Sequence, residues 1–357
     1  MKVLVLPVNI ASDISHKVRS LRSIGIDARG FTTAPTPIQS ADDITVFPLN
    51  QGGRLTRRVQ QILAYRSIRK MIEWADILHW VSNPNVFASG SYKNILVEAG
   101  KPGVIQWIGS DIRIPEIDSG LNRYYQTAVN EGYEYGFESL ANSRSMQRFF
   151  AEFGFYPLEF IGMGHYIDQH LFPKRFRAWQ SVVLADFEAD FPSKENKRPM
   201  IVHSPSAPVA KGTRHVLAAI EKLKVKYDLD FVLVENTQRD KALDIMRGCD
   251  IYIDQLILGA HGYAAVEAMA FGKPVVCYIN TEIGKDYPDD LPLINANPDN
   301  LYEKLEPLIQ SAALRHEIGT KSREYVEKYH DDKKIAHDLV DIYKEVIDLH
   351  AQGKPNR

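Results

Sequence analysis

Runs of core-type residues alternate with amphipathic stretches along the whole chain. Near-continuous apolar runs at Lys2–Pro7, Ile26–Phe31, Ile77–Val81, Gly103–Trp107 and Leu158–Ile161 predict strands without a polar face. Helical patterns at Ser15–Ile24, Leu55–Trp74 and Leu121–Tyr135 lie between them. A second series follows, with strands at Pro199–His203, Asp230–Glu235, Asp250–Asp254 and Pro274–Ile279. Its helices are Thr213–Tyr227, Asp240–Arg247 and Ala264–Phe271, and a charged helical stretch runs from Leu301 to about His350. Strands apolar on both faces and separated by helices build a parallel sheet covered on both sides. Between the two series, Pro173–Pro199 holds three prolines, many charges and no clean period. The expected fold class is therefore α/β: two Rossmann-like, doubly wound parallel-sheet domains facing a central cleft. Their expected limits are 1–173 and 199–335, with a linker at 174–198 and a C-terminal helix and tail at 336–357 packing back on the first domain. Ligands in such sheets bind beyond the carboxyl ends of the strands, so the residues after each strand carry the chemistry.

Composition narrows the class. The 357 residues are 45% hydrophobic and 25% charged, an ordinary globular balance. Lys and Arg number 43 against 45 Asp and Glu, which leaves no global basic field for nucleic acid. No nucleic-acid partner is expected. Cys249 and Cys277 sit in or beside apolar runs and read as buried free thiols of a reducing compartment. Pro7 and Asn9 interrupt the first apolar run, so it reads as a strand and not as a signal peptide. No stretch reaches the roughly 18 apolar residues of a membrane span. The expected location is the cytoplasm, with the inner face of the membrane as a further possibility.

Several strand ends carry chemistry. After Asp254 comes a loop with Gly259 and Gly262, then a helix with Glu267 one turn in. Glycines let a backbone approach a ligand closely, and a helix start offers unpaired N–H groups to an anion. A carboxylate one turn in suits the hydroxyl pair of a ribose, and equally suits the helix dipole alone. After His203, the loop Ser204-Pro-Ser206-Ala-Pro-Val-Ala-Lys211-Gly212-Thr213 places a cation beside a glycine at a helix start. Point charge, free N–H groups and dipole together make a diphosphate site. Glu235 and Asn236 end a third strand at the same edge, where turn chemistry alone also explains them.

The stretch Gly259–Val276 resembles the signature of retaining nucleotide-sugar glycosyltransferases of the GT-B type, family 4 group (glycosyl transferases group 1). That signature has two glutamates separated by seven residues, the second followed by Ala-Met-Ala, a Gly and Pro-Val-Val. Glu267, Ala268-Met269-Ala270, Gly272 and Pro274-Val275-Val276 match it, and Gly259 stands where the first glutamate would. Lys211-Gly212 matches the diphosphate-binding pair, with Ser206 in place of an arginine. The resemblance implies GT-B architecture and a nucleoside diphosphate sugar as donor substrate, with no metal and no cofactor. Glu267 would hold the ribose and Lys211 the diphosphate, with Ser204, Ser206, Gly212 and Thr213. Glu235 or Asn236 would lie near the base, and the Gly259, Ala260, His261, Gly262 and Tyr263 loop near the sugar.

In the first domain the likeness is looser. Gln106-Trp-Ile-Gly109-Ser110-Asp111-Ile-Arg113 resembles a strand end that usually carries a histidine touching the sugar, and Ile108 replaces it. His79 or His165 would then serve, His79 as a catalytic residue with Lys211 and Glu267, and Asn9, Ser12, Ser110, Asp111, Arg113 and His165 would lie on the acceptor side. A lone histidine at a strand end is also a common packing residue. The implied activity is sugar transfer with retention to a glycan, lipid-linked or small-molecule acceptor. The alternatives are a UDP-sugar 2-epimerase-like enzyme of the same fold and a non-catalytic nucleotide-sugar- or glycan-binding partner.

No Cys/His set has zinc spacing. Asp228-Leu-Asp230 formally matches a metal-binding Asp-x-Asp but precedes its strand, and so reads as a solvated turn. From Arg54 to Lys70 there are six cations (Arg54, Arg57, Arg58, Arg66, Arg69, Lys70) with Ile62, Tyr65 and Ile72 among them. Each cation near an anionic lipid surface adds about 1 kcal/mol, so the run suggests a peripheral membrane contact as well as a solvated helix.

Overall fold

A computed structural model describes residues 1–9, 12–33, 41, 43–47, 54–82, 96, 98–118 and 120–353, without the side chains of 54–58. Its elements run β1 (Lys2–Pro7), α1 (Asp13–Ser23), β2 (Asp27–Thr32), β3 (Thr45–Val46), α2 (Arg54–Trp74), β4 (Ile77–Val81) and β5 (Gly103–Gln106). Two helices follow, α3 (Pro115–Asp118) and α4 (Arg123–Asn130), then α5 (Leu140–Glu152), β6 (Phe155–Glu159) and β7 (Phe176–Arg177). The second series is β8 (Met200–His203), α6 (Pro208–Lys211), α7 (Thr213–Lys226), β9 (Asp230–Leu233), α8 (Arg239–Arg247), β10 (Ile251–Ile253), α9 (Tyr263–Ala270) and β11 (Val275–Cys277). The chain closes with α10 (Thr281–Gly284), β12 (Ile294–Asn295), α11 (Leu301–Gln310), α12 (Ala312–Tyr329) and α13 (Asp332–Ala351).

Two compact units result. One comprises Met1–Arg113, Glu138–Ser181 and Asp332–Arg357; the other comprises Ile114–Phe137 and Val182–Asp331. The contiguous limits expected above therefore differ from the packing, and the second unit ends at Asp331 rather than at 335. Residues 114–137, expected with the first domain, pack with the second unit, and the expected linker adds strand β7 to the first sheet. α13 belongs to the first unit and packs on α1 and β5.

The first unit holds a seven-stranded sheet of order β3-β2-β1-β4-β5-β6-β7, with every pair parallel. Val3 to Leu6, Ile77, Leu78, Val104 and Ile105 are fully buried, as strands covered on both faces require. Trp80, Phe150 and Phe155 meet edge to face or tilted beneath the sheet. The second unit holds a five-stranded parallel sheet of order β12-β11-β10-β8-β9. Its core joins Ile201, Ile251, Ile253 and Val276 to Val216, Ile220 and Leu223 of α7 and Leu305 and Leu308 of α11.

Strand order reverses between β1 and β4 in the first sheet and between β8 and β10 in the second. At such a switch point the flanking loops leave on opposite faces and open a crevice at the carboxyl edge. Ile253 and His203 lie opposite each other across the β10–β8 pair. The loops carrying Gly259–Tyr263 and Ser204–Thr213 therefore start side by side.

Among the described residues no helix is long and apolar enough to cross a membrane.

Candidate functional site

The second unit's crevice is organised by an acid that sequence reasoning passed over. Asp254 follows β10 directly and is 1% exposed. The Lys211 ammonium donates to its Oδ1 at 2.6 Å, and the Gly262 N–H donates to its Oδ2 at 2.8 Å. The Leu256 N–H, bonded to the Lys211 carbonyl at 3.1 Å, ties the two loops together. Burial alone would push the Asp254 carboxyl up, but the Lys211 charge and hydrogen bond and the Gly262 N–H hold it below the usual range. Burial likewise works against the charged form of Lys211, and the facing Asp254 outweighs it, so its affinity for a proton is raised. A carboxylate closing an apolar strand at the edge shared with a Lys-Gly turn was the signal that could have found Asp254.

Beside this pair starts α9. Its N-cap, Gly262, supplies no side-chain cap, and no acid lies in the first turn. A β-carbon built on Gly262 would stand 3.6 Å from Lys211 Nζ, so the ammonium lies at the helix start itself. An uncapped helix N-terminus and a fixed cation at one point make a local anion-binding field. Glu267, one turn along α9, is 7% exposed and accepts from Arg239 Nη2 at 2.5 Å. Arg239 at the head of α8 is the second group the sequence reading missed.

The other expected contacts divide. Gly212 takes the left-handed conformation, φ 78°, that passes the chain from α6 into α7. The Thr213 hydroxyl bonds His203 Nε2 at 3.0 Å, and Ser204 Oγ bonds Tyr252 Oη at 2.6 Å. Ser206 is exposed and bonds Tyr135 Oη at 2.6 Å. Glu235 and Asn236 are exposed just after β9, with Asn236 at φ 50°. The Ala260 carbonyl is held by Gln255 Nε2. Gly259 explains its own departure from the glutamate pattern: at φ +81°, a β-carbon there would stand 2.9 Å from Asn280 Cβ, leaving no room for a side chain.

His261 turns inward. Its ring is 7% exposed, packs on Tyr287 and His330, and finds no partner for either nitrogen, while its N–H donates to Tyr287 Oη at 3.3 Å. Burial pushes its pKa down to about 4. The ring is sealed from solvent and so does not reach a sugar from here.

In the first unit His79 is likewise structural. It is fully buried and its pKa is pushed down to about 3, chiefly by burial. The hydrogen bonds around it fix its tautomer. Gln106 Nε2 donates to Asp13 Oδ2 at 3.1 Å, so Gln106 Oε1 must accept from His79 Nε2 at 2.9 Å. His79 Nδ1 then accepts from the Tyr343 hydroxyl of α13 at 2.6 Å, and the buried Lys17 ammonium closes the chain on Asp13. With both ring nitrogens engaged, His79 cannot contact a sugar, which corrects its expected catalytic role.

The residues expected on the acceptor side all follow carboxyl ends of the first sheet: Asn9 and Ser12 after β1, Ser110, Asp111 and Arg113 after β5, His165 after β6. Asn9 Oδ1 accepts the Ile14 N–H at 2.9 Å, and Asp111 accepts the Gly109 N–H at 2.8 Å, so both cap their own loops. Arg113 packs over Gly109, and the His165 ring lies on Tyr166. Asp228 and Asp230 pair with Arg198 at the amino end of β9, and among the described residues no group of three or more His, Cys, Asp or Glu is placed to hold a metal ion.

Comparison with known proteins bears on this arrangement. No family model matches the chain. An uncharacterized glycosyltransferase of Methanocaldococcus jannaschii is 29% identical over 133 residues, 36% of this chain and 38% of that protein, so the match spans well under two thirds of the relative. Solved structures align over nearly the full length. Sucrose-phosphate synthase of Thermosynechococcus elongatus is 11% identical with a TM-score of 0.61, over 97% of this chain and 99% of that one. The Anabaena protein HepE, solved with UDP and glucose, is 14% identical with a TM-score of 0.57, over 97% and 100%.

The fold is GT-B.

Within this GT-B chain Lys211, Gly212, Gly262, Tyr263 and Glu267 lie on the loops and helix starts at one edge of the second sheet. It withdraws the rings of His79 and His261.

Proposed function

We propose that the chain is a retaining glycosyltransferase whose second unit holds a nucleoside diphosphate sugar. The observation that carries this reading is the Lys211 ammonium, fixed by buried Asp254 at the uncapped start of α9. The weak likeness to a glycosyltransferase sequence and the UDP bound in the Anabaena structure support it. The diphosphate takes the α9 amides and the Lys211 charge, and Glu267 takes the ribose hydroxyls in exchange for Arg239. During transfer the bond from the sugar's anomeric carbon to the phosphate oxygen breaks, and a bond to the acceptor oxygen forms on the same face. Negative charge grows on the leaving phosphate, where a preorganised cation and helix dipole stabilise it most. The acceptor's proton passes to the departing phosphate oxygen, so no protein base and no divalent metal is required.

Incubation with nucleotide sugars in EDTA tests this. Nucleoside diphosphate release is expected only when an acceptor is present. Interconversion of the sugar without acceptor would point to an epimerase, and strict dependence on added divalent cation would overturn the metal-independent step.

The proposed acceptor is lipid-linked, reached through α2. Its inner face buries Ala64, Ile68 and Ile72, whereas Val59, Ile62 and Leu63 are 51%, 49% and 57% exposed beside exposed Arg66 and Lys70. The side chains of Arg54, Arg57 and Arg58 lie outside the described residues, and Arg69 pairs with Glu73 and Glu98. Exposed apolar groups among cations suit an anionic interface. Co-sedimentation with phosphatidylserine-containing vesicles, lost in a Val59→Ser/Leu63→Ser variant, is the expected result; equal binding to neutral vesicles would argue against it.

A further inference from the structure

We propose that Tyr135 contacts the ligand's phosphate and that residues 131–137 form a third wall of the site, positioned by Glu131 and Glu134. This rests on the donor reading above. The segment enters the second unit from far upstream in the sequence, and nothing in its composition marks it as part of a site.

Its placement is specific. α4 ends at Asn130, and Gly132, at φ +95°, turns the chain back. Tyr125, Tyr133 and Tyr135 then stack edge to face, with ring centroids 5.2 and 5.9 Å apart. Glu131 pairs with Arg214 at 2.7 Å. The Glu134 carboxylate accepts the Val209 N–H at 2.7 Å and the Ala210 N–H at 3.0 Å, a two-point clamp on the turn that carries Lys211. That clamp delivers the Tyr135 hydroxyl to Ser206 Oγ at 2.6 Å, at the exposed mouth of the loop. Ser206 lies in the loop that runs into α6 and ends in Lys211, so the phenol sits on the same loop as the ammonium.

A phenol on the same loop as a fixed ammonium adds a second hydrogen-bond donor for an incoming anion without adding charge. The Tyr135–Ser206 pair shares one proton between two oxygens and leaves the other to donate outward. The ligand chemistry is a diphosphate oxygen, from a nucleoside diphosphate or from free pyrophosphate. Glu131 and Glu134 act through Tyr135: their charges are spent on Arg214 and on two backbone amides.

Calorimetric titration of pyrophosphate and of ADP, GDP and UDP into the full chain tests this. Tyr135→Phe is expected to weaken pyrophosphate and the preferred nucleotide about tenfold. Ser206→Ala breaks the same hydrogen bond but keeps the phenol, and is expected to lose about threefold. A Tyr135 that serves only to brace Ser206 would make those two losses equal. Glu134→Ala should match Tyr135→Phe, and the double variant should be no weaker than either, because one acts through the other. Wild-type affinity in Tyr135→Phe, or equal losses in Tyr135→Phe and Ser206→Ala, overturns the third wall and leaves the donor reading standing. Failure of all four probes to bind the wild type and every variant removes both.

Discussion

Lys211→Ala is expected to lower turnover with a nucleotide-sugar donor by a factor of about 30 to several thousand, the equivalent of about 2–5 kcal/mol for an unpaired phosphate charge. Two losses combine in that number. The ligand's phosphates lose their fixed counter-charge, and Asp254 is left buried with no cation, which destabilises the fold itself by about 3–5 kcal/mol. A single substitution cannot separate them. The pair can be neutralised together: Lys211→Met with Asp254→Asn keeps volume and the hydrogen bond from Gly262 while removing both charges. Urea unfolding of that double variant should return to within about 1–2 kcal/mol of the parent, with turnover still depressed. Should the double variant turn over like the parent, Lys211 is a structural cation and the donor site lies elsewhere.

Acidification is expected to destabilise the chain steeply between pH 6.5 and 4. Burial pushes His79 down to about 3 and His203 and His261 to about 4. In the unfolded chain the same rings titrate near 6.5. Below that pH the unfolded state takes up protons that the folded state refuses, so stability is complete above 6.5 and falls as pH drops toward the folded values. Each ring contributes a slope of up to about 1.4 kcal/mol per pH unit, large against a typical total stability of about 5–15 kcal/mol. Urea midpoints at pH 7.5, 6 and 5 would measure the slope. His261→Phe preserves the packing on Tyr287 and His330 and removes one titrating ring whose nitrogens are unpartnered. It should flatten the slope by about one ring's share and raise stability at pH 5. An unchanged slope in that variant would show that the His261 ring carries a proton in the folded chain.

The architecture was largely legible because strands covered on both faces write near-continuous apolar runs. Lys2–Pro7 and Ile77–Val81 are observed where the pattern put them. The fifth expected strand of that sheet was misplaced: the pattern favoured Leu158–Ile161, while β6 spans Phe155–Glu159. Pro157 sits inside it, and proline ordinarily argues against a central strand. β3 and β7 are two-residue edges too short to leave a period. At the crevice, Lys211 and Glu267 were visible from local spacing, but their partners were not. Asp254 is 43 residues from Lys211 and Arg239 is 28 from Glu267, and no local rule links positions so far apart. His79 and His261 show the opposite error. Position at a strand end or in a glycine loop suggested contact with a ligand, and only three-dimensional packing reveals that the rings face inward.

The Tyr343–His79 hydrogen bond has a temporal meaning. Proteins are built from the amino terminus, and leading domains generally finish folding first on the ribosome. Here the polar chain beneath the first sheet stays open until α13 has been synthesised, since Tyr343 supplies the proton that fixes the His79 ring. The second unit is whole once Asp331 emerges, its early piece, Ile114–Phe137, having waited for it. The order of completion thus runs against the order of synthesis: the unit that begins the chain is the last to close.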